Sequence, residues 1–286
     1  MLTWQIGKVT ITRIVEIELP IPYDANKPFI RNASPETLRK VEWLKPHFIT
    51  PDGLMILSIH ALLVEAPGLK LIVDTCIGND KPRGLTMQIP LQTAFLKHLA
   101  DVGAPREAID LVVCTHLHVD HVGWNTMKDG DNWVPTFPNA RYLIGAHEFE
   151  HWQSFEKDAE FTQVFADSVQ PIFDAKLAEM VETNHRISPE IRLMPTPGHT
   201  PGHVSVVIES EGQTAIITGD MIHHPIQMAH PDWATPYDSN RREAEATRRD
   251  LLKEWAETSA LIIGTHFAAP TAGRVERDGD AFKFSI

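Results

Sequence analysis

The chain has 286 residues, 43% hydrophobic and 22% charged, which suits one large domain with a substantial core and argues against disorder. Its formal net charge of -12 repels phosphate backbones and anionic lipid, so neither nucleic acid nor a membrane is expected as a partner. Two cysteines, Cys76 and Cys114, exclude a disulfide framework and read as buried free thiols in a reducing compartment. With no leader-like pattern at Met1 to Gln5 and no long apolar run, the expected location is cytoplasmic.

Strand and helix signals then alternate, which points to α/β layers in a single domain over residues 1–286. Lys8 to Leu19 is rich in β-branched residues and reads as a strand. Residues 20–54, with many prolines and the aromatics Tyr23, Phe29, Trp43 and Phe48, read as an irregular excursion over the surface, either a lid or a subunit contact. Met55 to Glu65 and Leu69 to Val73 are strands joined at Pro67-Gly68. A helix is expected from Pro90 to Val102, stopped by Gly103 and Pro105. Leu111 to Thr115 is a short buried strand, Arg141 to Ile144 another, and residues 146–182 read as mostly helical.

The second half repeats the theme. Runs at 191–194, 203–209 and 213–218 are strand-like. A helix is expected from Arg241 to Glu257, with Asn240 and Glu243 at capping-box spacing and an inner face of Ala244, Thr247, Leu251 and Trp255. Arg241, Arg242, Arg248 and Arg249 alternate with acids and read as its solvated face. Leu261 to Gly264 is the last buried strand, and Phe282 and Phe284 mark a terminal edge strand.

The surplus of 15 His is explained by where some of them stand. Four strand-like runs end in a metal-type residue: Asp74, His116, Asp220 and His266. In α/β sheets, sites form beyond the carboxyl ends of strands. The segment His116-Leu117-His118-Val119-Asp120-His121 places four such side chains directly after a buried strand, where the turning chain can aim them at more than one ion. The alternative for any single histidine is a satisfied polar turn.

Thr115 to His121, Pro197-Gly198-His199-Thr200-Pro201-Gly202-His203, Gly219-Asp220 and Gly264-Thr265-His266 together resemble, in order, the motifs of the metallo-β-lactamase superfamily. The resemblance spans residues 55–285 and implies an α/β fold, an αβ/βα four-layer sandwich. It also implies two divalent metal ions, zinc first, with manganese, iron or cobalt as alternatives. His116, His118 and His199 would hold the first ion, and Asp120, His121 and His266 the second, with Asp220 bridging them. His203 is expected to be structural. Asp74 is expected either to orient a metal-bound histidine or to cap its turn.

Such a site implies attack by a metal-bridging hydroxide on a carbonyl or phosphorus, with Asp120 orienting the nucleophile. The segment after Asp220 is similar to the methyl parathion hydrolase and lactonase-like branch, which implies a small neutral ester or lactone as substrate, phosphotriester turnover as a side activity, and a homodimer. N-acyl homoserine lactonases of this fold carry a tyrosine three residues after the bridging aspartate; His223 stands there in this chain, either contacting substrate and donating a proton to the leaving oxygen or propping the site. Trp152 and Phe155 read as core or dimer-interface residues rather than as a site wall. β-Lactam opening and glutathione-thioester hydrolysis are the alternatives on the same fold. His118 stands where the iron-redox members carry glutamate, which favours hydrolysis, and a noncatalytic module would have a broken ligand set.

Overall fold

A computed structural model describes residues 1–154 and 159–286 of the chain; Phe155 lies outside them. Two compact units emerge, one of Thr3–Glu16 with Ile59–Thr183, the other of Ile17–Ser58 with Asn184–Ile286.

The first unit is organised by a sheet containing β1 (Thr3–Ile6), β2 (Val9–Pro20), β3 (Ile56–Ala66), β4 (Leu69–Val73) and β5 (Leu111–Val113). A small hairpin of β6 (Thr126–Asp129) and β7 (Asn132–Pro135) stands apart from it, and β8 (Arg141–Gly145) and β9 (Ala178–Val181) complete the order β1-β2-β3-β4-β5-β8-β9. β4, β5, β8 and β9 run parallel. Their core positions are β-branched and leucine residues such as Leu71, Ile72, Val112 and Val113, fully buried as parallel strands require.

One sequence expectation fails here for a local reason. The helix after β4 is Phe95–Asp101 and begins later than Pro90. The preceding residues have other partners: the Leu91 carbonyl accepts from Asp80 N at 3.2 Å, and Thr93 N donates to Asn79 Oδ1 at 2.7 Å. Most of the described residues of 146–182 are helical, as expected, over Ala146–Gln153, Ala159–Val164 and Gln170–Asp174, with a π-turn at Phe165–Val169. Lys176, at φ 58°, then reverses the chain into β9.

The second unit is built on β10 (Ile191–Pro195), β11 (Val204–Ser210), β12 (Gln213–Ile217), β13 (Leu261–Ile263), β14 (Ala272–Asp278) and β15 (Ala281–Ser285), paired in that order. Only β12 and β13 are parallel neighbours, and both lead into functional candidates, Asp220 and His266. β15 is the edge strand anticipated from Phe282 and Phe284, and both rings turn into the core.

The stretch 20–54 is irregular and partly exposed, but it is not confined to the surface. Ile30, Ala33, Leu38, Leu44, Phe48 and Ile49 are buried in one cluster with Trp255, Phe267 and Phe284. Phe48 packs edge-on against Phe267 at 6.3 Å and Phe284 at 5.7 Å, and its carbonyl accepts from His224 Nε2 at 2.8 Å. Prolines broke the periodicity that would have revealed this core contribution.

The helix Arg241–Trp255 starts as expected, with Asn240 Oδ1 accepting from Glu243 N at 3.3 Å. Its buried face differs: Ala244, Arg248, Leu252 and Trp255 point inward, so Arg248 belongs to the interior and not to the solvated face. Among the described residues no helix is long and apolar enough to cross a membrane.

Truncating Phe48 to alanine removes a ring from the middle of the second unit's core. We expect Phe48→Ala to lower unfolding stability by about 3–5 kcal/mol, read from urea unfolding followed by tryptophan fluorescence. An effect near zero would return residues 20–54 to the surface.

Candidate functional site

In the first unit, the carboxyl ends of β4 and β5 set the geometry. Asp74 follows β4 with φ 58°, and its amide donates to the Val113 carbonyl at 2.9 Å. Its carboxylate Oδ1 accepts from Thr115 N at 2.8 Å, and Oδ2 accepts from the Thr115 hydroxyl at 2.9 Å and from His121 Nδ1 at 2.8 Å. Asp74 therefore serves both roles the sequence allowed, fixing a turn and orienting a histidine.

These bonds determine where protons sit. Because the Thr115 hydroxyl hydrogen goes to Asp74, its oxygen can accept from His116 Nδ1, 3.0 Å away. His116 and His121 thus carry their protons on Nδ1, leaving an Nε2 lone pair on each. His116 Nε2 lies 3.0 Å from His118 Nδ1, and His121 Nε2 lies 3.7 Å from Asp120 Oδ1. All four side chains of the 116–121 segment converge in one cluster.

Two supports in this unit were not anticipated. Glu148, buried on the helix Ala146–Gln153, accepts from Leu117 N at 3.1 Å and so fixes the peptide between His116 and His118. Trp152, one turn later, donates Nε1 to the same carboxylate oxygen at 2.6 Å and packs edge-on against the His118 ring at 5.2 Å. Trp152 also stacks on Phe161 at 4.1 Å, so it is core and site wall together. The i, i+4 spacing of Glu148 and Trp152 was the available signal.

In the second unit, β12 and β13 deliver Asp220 and His266. Thr218 N donates to the Ile263 carbonyl at 3.0 Å, and the Thr265 hydroxyl donates to Asp220 Oδ1 at 3.3 Å. His203 is structural, as expected: its Nε2 accepts from Asp220 N at 2.8 Å while Nδ1 faces Thr196. Gly219 has φ 56°, and a Cβ there would lie 2.5 Å from His203 Nε2, so only glycine fits.

Asp220 Oδ1 lies 3.1 Å from His266 Nε2; Oδ2 lies 3.5 Å from His199 Nε2 and 3.2 Å from His223 Nε2. His266 Nδ1 donates to the Ser58 carbonyl at 3.0 Å, which places its lone pair on Nε2. His199 Nδ1 donates to Asp238 Oδ1 at 3.0 Å. Burial pushes the His199 imidazole down to about 4 despite Asp238, so it is neutral at neutral pH with Nε2 unprotonated. Burial disfavours ionised Asp238, but the His199 bond and nearby cationic groups outweigh it and hold the carboxyl below the ordinary range.

Two imidazole nitrogens thus face one carboxylate, an arrangement of nitrogen and oxygen donors that suits a divalent cation. The His and Asp donor sets fit divalent metal binding. Among these residues His223 is different. Its Nδ1 is buried without a hydrogen-bond partner among the described residues, and its Nε2 donates to Asp220. Phe29 packs edge-on against the His223 ring at 5.7 Å and lies 5.9 Å from the exposed Tyr237.

Neither cysteine offers an alternative nucleophile. Both are buried, and burial pushes the Cys114 thiol up to about 12 and the Cys76 thiol well above its ordinary value.

The sequence pattern of the Metallo-beta-lactamase superfamily matches residues 55–266. An N-acyl homoserine lactonase of Bacillus sp is 27% identical over 175 residues, 57% of this chain and 63% of that protein, so the chain spans less than two thirds of the length of this relative. The "Probable metallo-hydrolase Mb2322c" of Mycobacterium bovis is 23% identical over 262 residues, 79% of this chain and 80% of the relative. Among solved structures, the hydrolase AbOPH of the beta lactamase superfamily superposes with a TM-score of 0.81 at 23% identity, covering 100% of this chain and 97% of its own. AidC, a dizinc quorum-quenching lactonase, superposes with a TM-score of 0.76 at 22% identity, covering 99% and 95%. At these identities the structural likeness establishes the fold.

The carboxylates behind the histidines generate a prediction. Asp74→Asn and Asp238→Asn should each weaken zinc affinity by about 10–100-fold in chelator competition, with far-ultraviolet circular dichroism unchanged. Wild-type affinity in both would mean these carboxylates do not set the ligand tautomers.

Proposed function

The chain belongs to the Metallo-beta-lactamase superfamily, and from that premise we propose that it is a metal-dependent hydrolase of a small neutral ester or lactone. The observation that carries this reading is the locked tautomers: four histidines distributed over the two units present an Nε2 lone pair, because a carboxylate, hydroxyl or carbonyl occupies each Nδ1 proton. Neutral imidazole and carboxylate donors suit zinc, and the fold neighbour AidC is described as dizinc.

In this proposal His116, His118 and His199 hold one ion, Asp120, His121 and His266 hold a second, and Asp220 bridges. When bound, two such ions supply Lewis acidity and lower the pKa of a coordinated water toward about 7. The chain's own residues do the rest. Asp120, the least buried of the acidic candidates, accepts a hydrogen bond from the attacking water and aims it. Asp74 and Asp238 orient their histidines by holding the ring proton on Nδ1. His223 holds a proton at Nε2 and passes it to the leaving oxygen, its uncommitted Nδ1 being free to take another. Phe29 and Tyr237 form an apolar edge beside His223, which favours a neutral substrate over a charged one. The lactonase relatives support a lactone; the proposal extends to carboxylic esters, with phosphotriesters as a side activity.

Metal-reconstituted protein assayed against γ- and δ-lactones, aryl esters, paraoxon-type triesters, nitrocefin and a glutathione thioester tests the reading. Lactones or aryl esters should be preferred, and His116→Ala or chelation should abolish turnover. Turnover of nitrocefin or the thioester alone would overturn the substrate class; trace metal with no hydrolysis would overturn the reading entirely.

A further inference from the structure

Arg248 is a large, fully buried cation in the second unit, projecting inward from the helix Arg241–Trp255. Its Nε donates to the Met221 carbonyl at 2.9 Å and its Nη1 to the Pro231 carbonyl at 2.7 Å. Its Nη2 is buried without a hydrogen-bond partner among the described residues. A buried guanidinium that keeps its charge needs compensation; burial lowers its pKa, and the charges of Asp238, Glu245 and Asp232 act against that.

Those partners are not scattered. Met221 directly follows Asp220. Asp238 ends the same loop, binds His199 Nδ1 at 3.0 Å and accepts from Thr235 N at 3.0 Å. Between them the loop carries His223, whose amide donates to Gln227 Oε1 at 2.8 Å, while Gln227 Nε2 donates to the Trp233 carbonyl at 2.7 Å. One guanidinium therefore touches the start and the middle of the loop. A planar fork of fixed donors holds two carbonyls in set directions while staying ionised, which an ammonium on a flexible stem does less rigidly.

We infer that Arg248 is a positioning residue for the metal site, fixing Asp220 through the carbonyl of the adjacent Met221 and holding the loop that follows through the Pro231 carbonyl. The inference rests on reading Asp220 as a metal ligand. It assigns to one side chain outside the ligand set the placement of a bridging carboxylate.

The test uses cobalt(II)-loaded full-length protein, because the visible absorption of bound cobalt reports ligand geometry independently of turnover. Wild type, Arg248→Lys, Arg248→Gln and the exposed control Arg249→Lys are compared for cobalt affinity by chelator competition, for the visible spectrum, and for melting of the metal-free protein. Arg248→Lys should keep the fold but weaken cobalt affinity by about tenfold or more, as loss of an outer support does. Its visible bands should shift, and kcat should fall far more than KM changes; Arg249→Lys should match wild type in all of these. A folded Arg248 variant with wild-type affinity and spectrum would overturn the inference, as would failure of both variants to fold, since either confines Arg248 to the core. If wild type itself binds no cobalt, the metal-ligand reading fails first, and the two failures are thereby distinguished.

Discussion

A histidine can hold a cation only through a ring nitrogen that has no proton, and in this protein that constraint governs the surroundings of the candidate ligands. Asp74 is the strongest example. One carboxylate takes the Thr115 hydroxyl, the Thr115 amide and His121 Nδ1, and through Thr115 it also fixes His116. In the second unit Asp238 and the Ser58 carbonyl do the same for His199 and His266. Each bond is ordinary alone. Together they turn buried imidazoles into oriented lone pairs, which a polar turn would have no reason to arrange.

The sheets make this arrangement possible. Parallel neighbours β4 and β5, and β12 and β13, end in register, so the residues that follow them lie side by side. Short strands rich in Val, Ile and Leu bury themselves on both faces, and their polar ends then have no apolar partner. The chain satisfies those ends with one another. Gly219, at φ 56° against His203, shows how closely the backbone must approach for Asp220 to be placed. The same buried polar logic reaches outward to Glu148 and Arg248, which hold backbone beside the ligands rather than the ligands themselves.

Much of this was legible in the sequence, and the boundary of legibility has physical causes. His116, His118, Asp120 and His121 stand together because local spacing after a buried strand suffices to place them. The order of strands around Asp74, Asp220 and His266 followed from apolar runs with polar ends. Glu148, Asp238 and Arg248 were missed because their partners are distant in sequence, and an arginine among alternating charges gives no sign of being buried. The inner face of its helix was misread by one position for the same reason. Residues 20–54 were read as surface because proline and short turns erase periodicity, although Ile30, Leu44 and Phe48 are core. The late start of the helix at Phe95 reflects hydrogen bonds to Asn79 and Asp80 that no local propensity contains.

Anomalous diffraction at the zinc edge, from crystals of zinc-loaded protein, tests the central claim most directly. Two peaks per chain about 3.5–4 Å apart are required, one against His116, His118 and His199, the other against Asp120, His121 and His266, with Asp220 between them. A single peak, or peaks bound elsewhere on the chain, would contradict it.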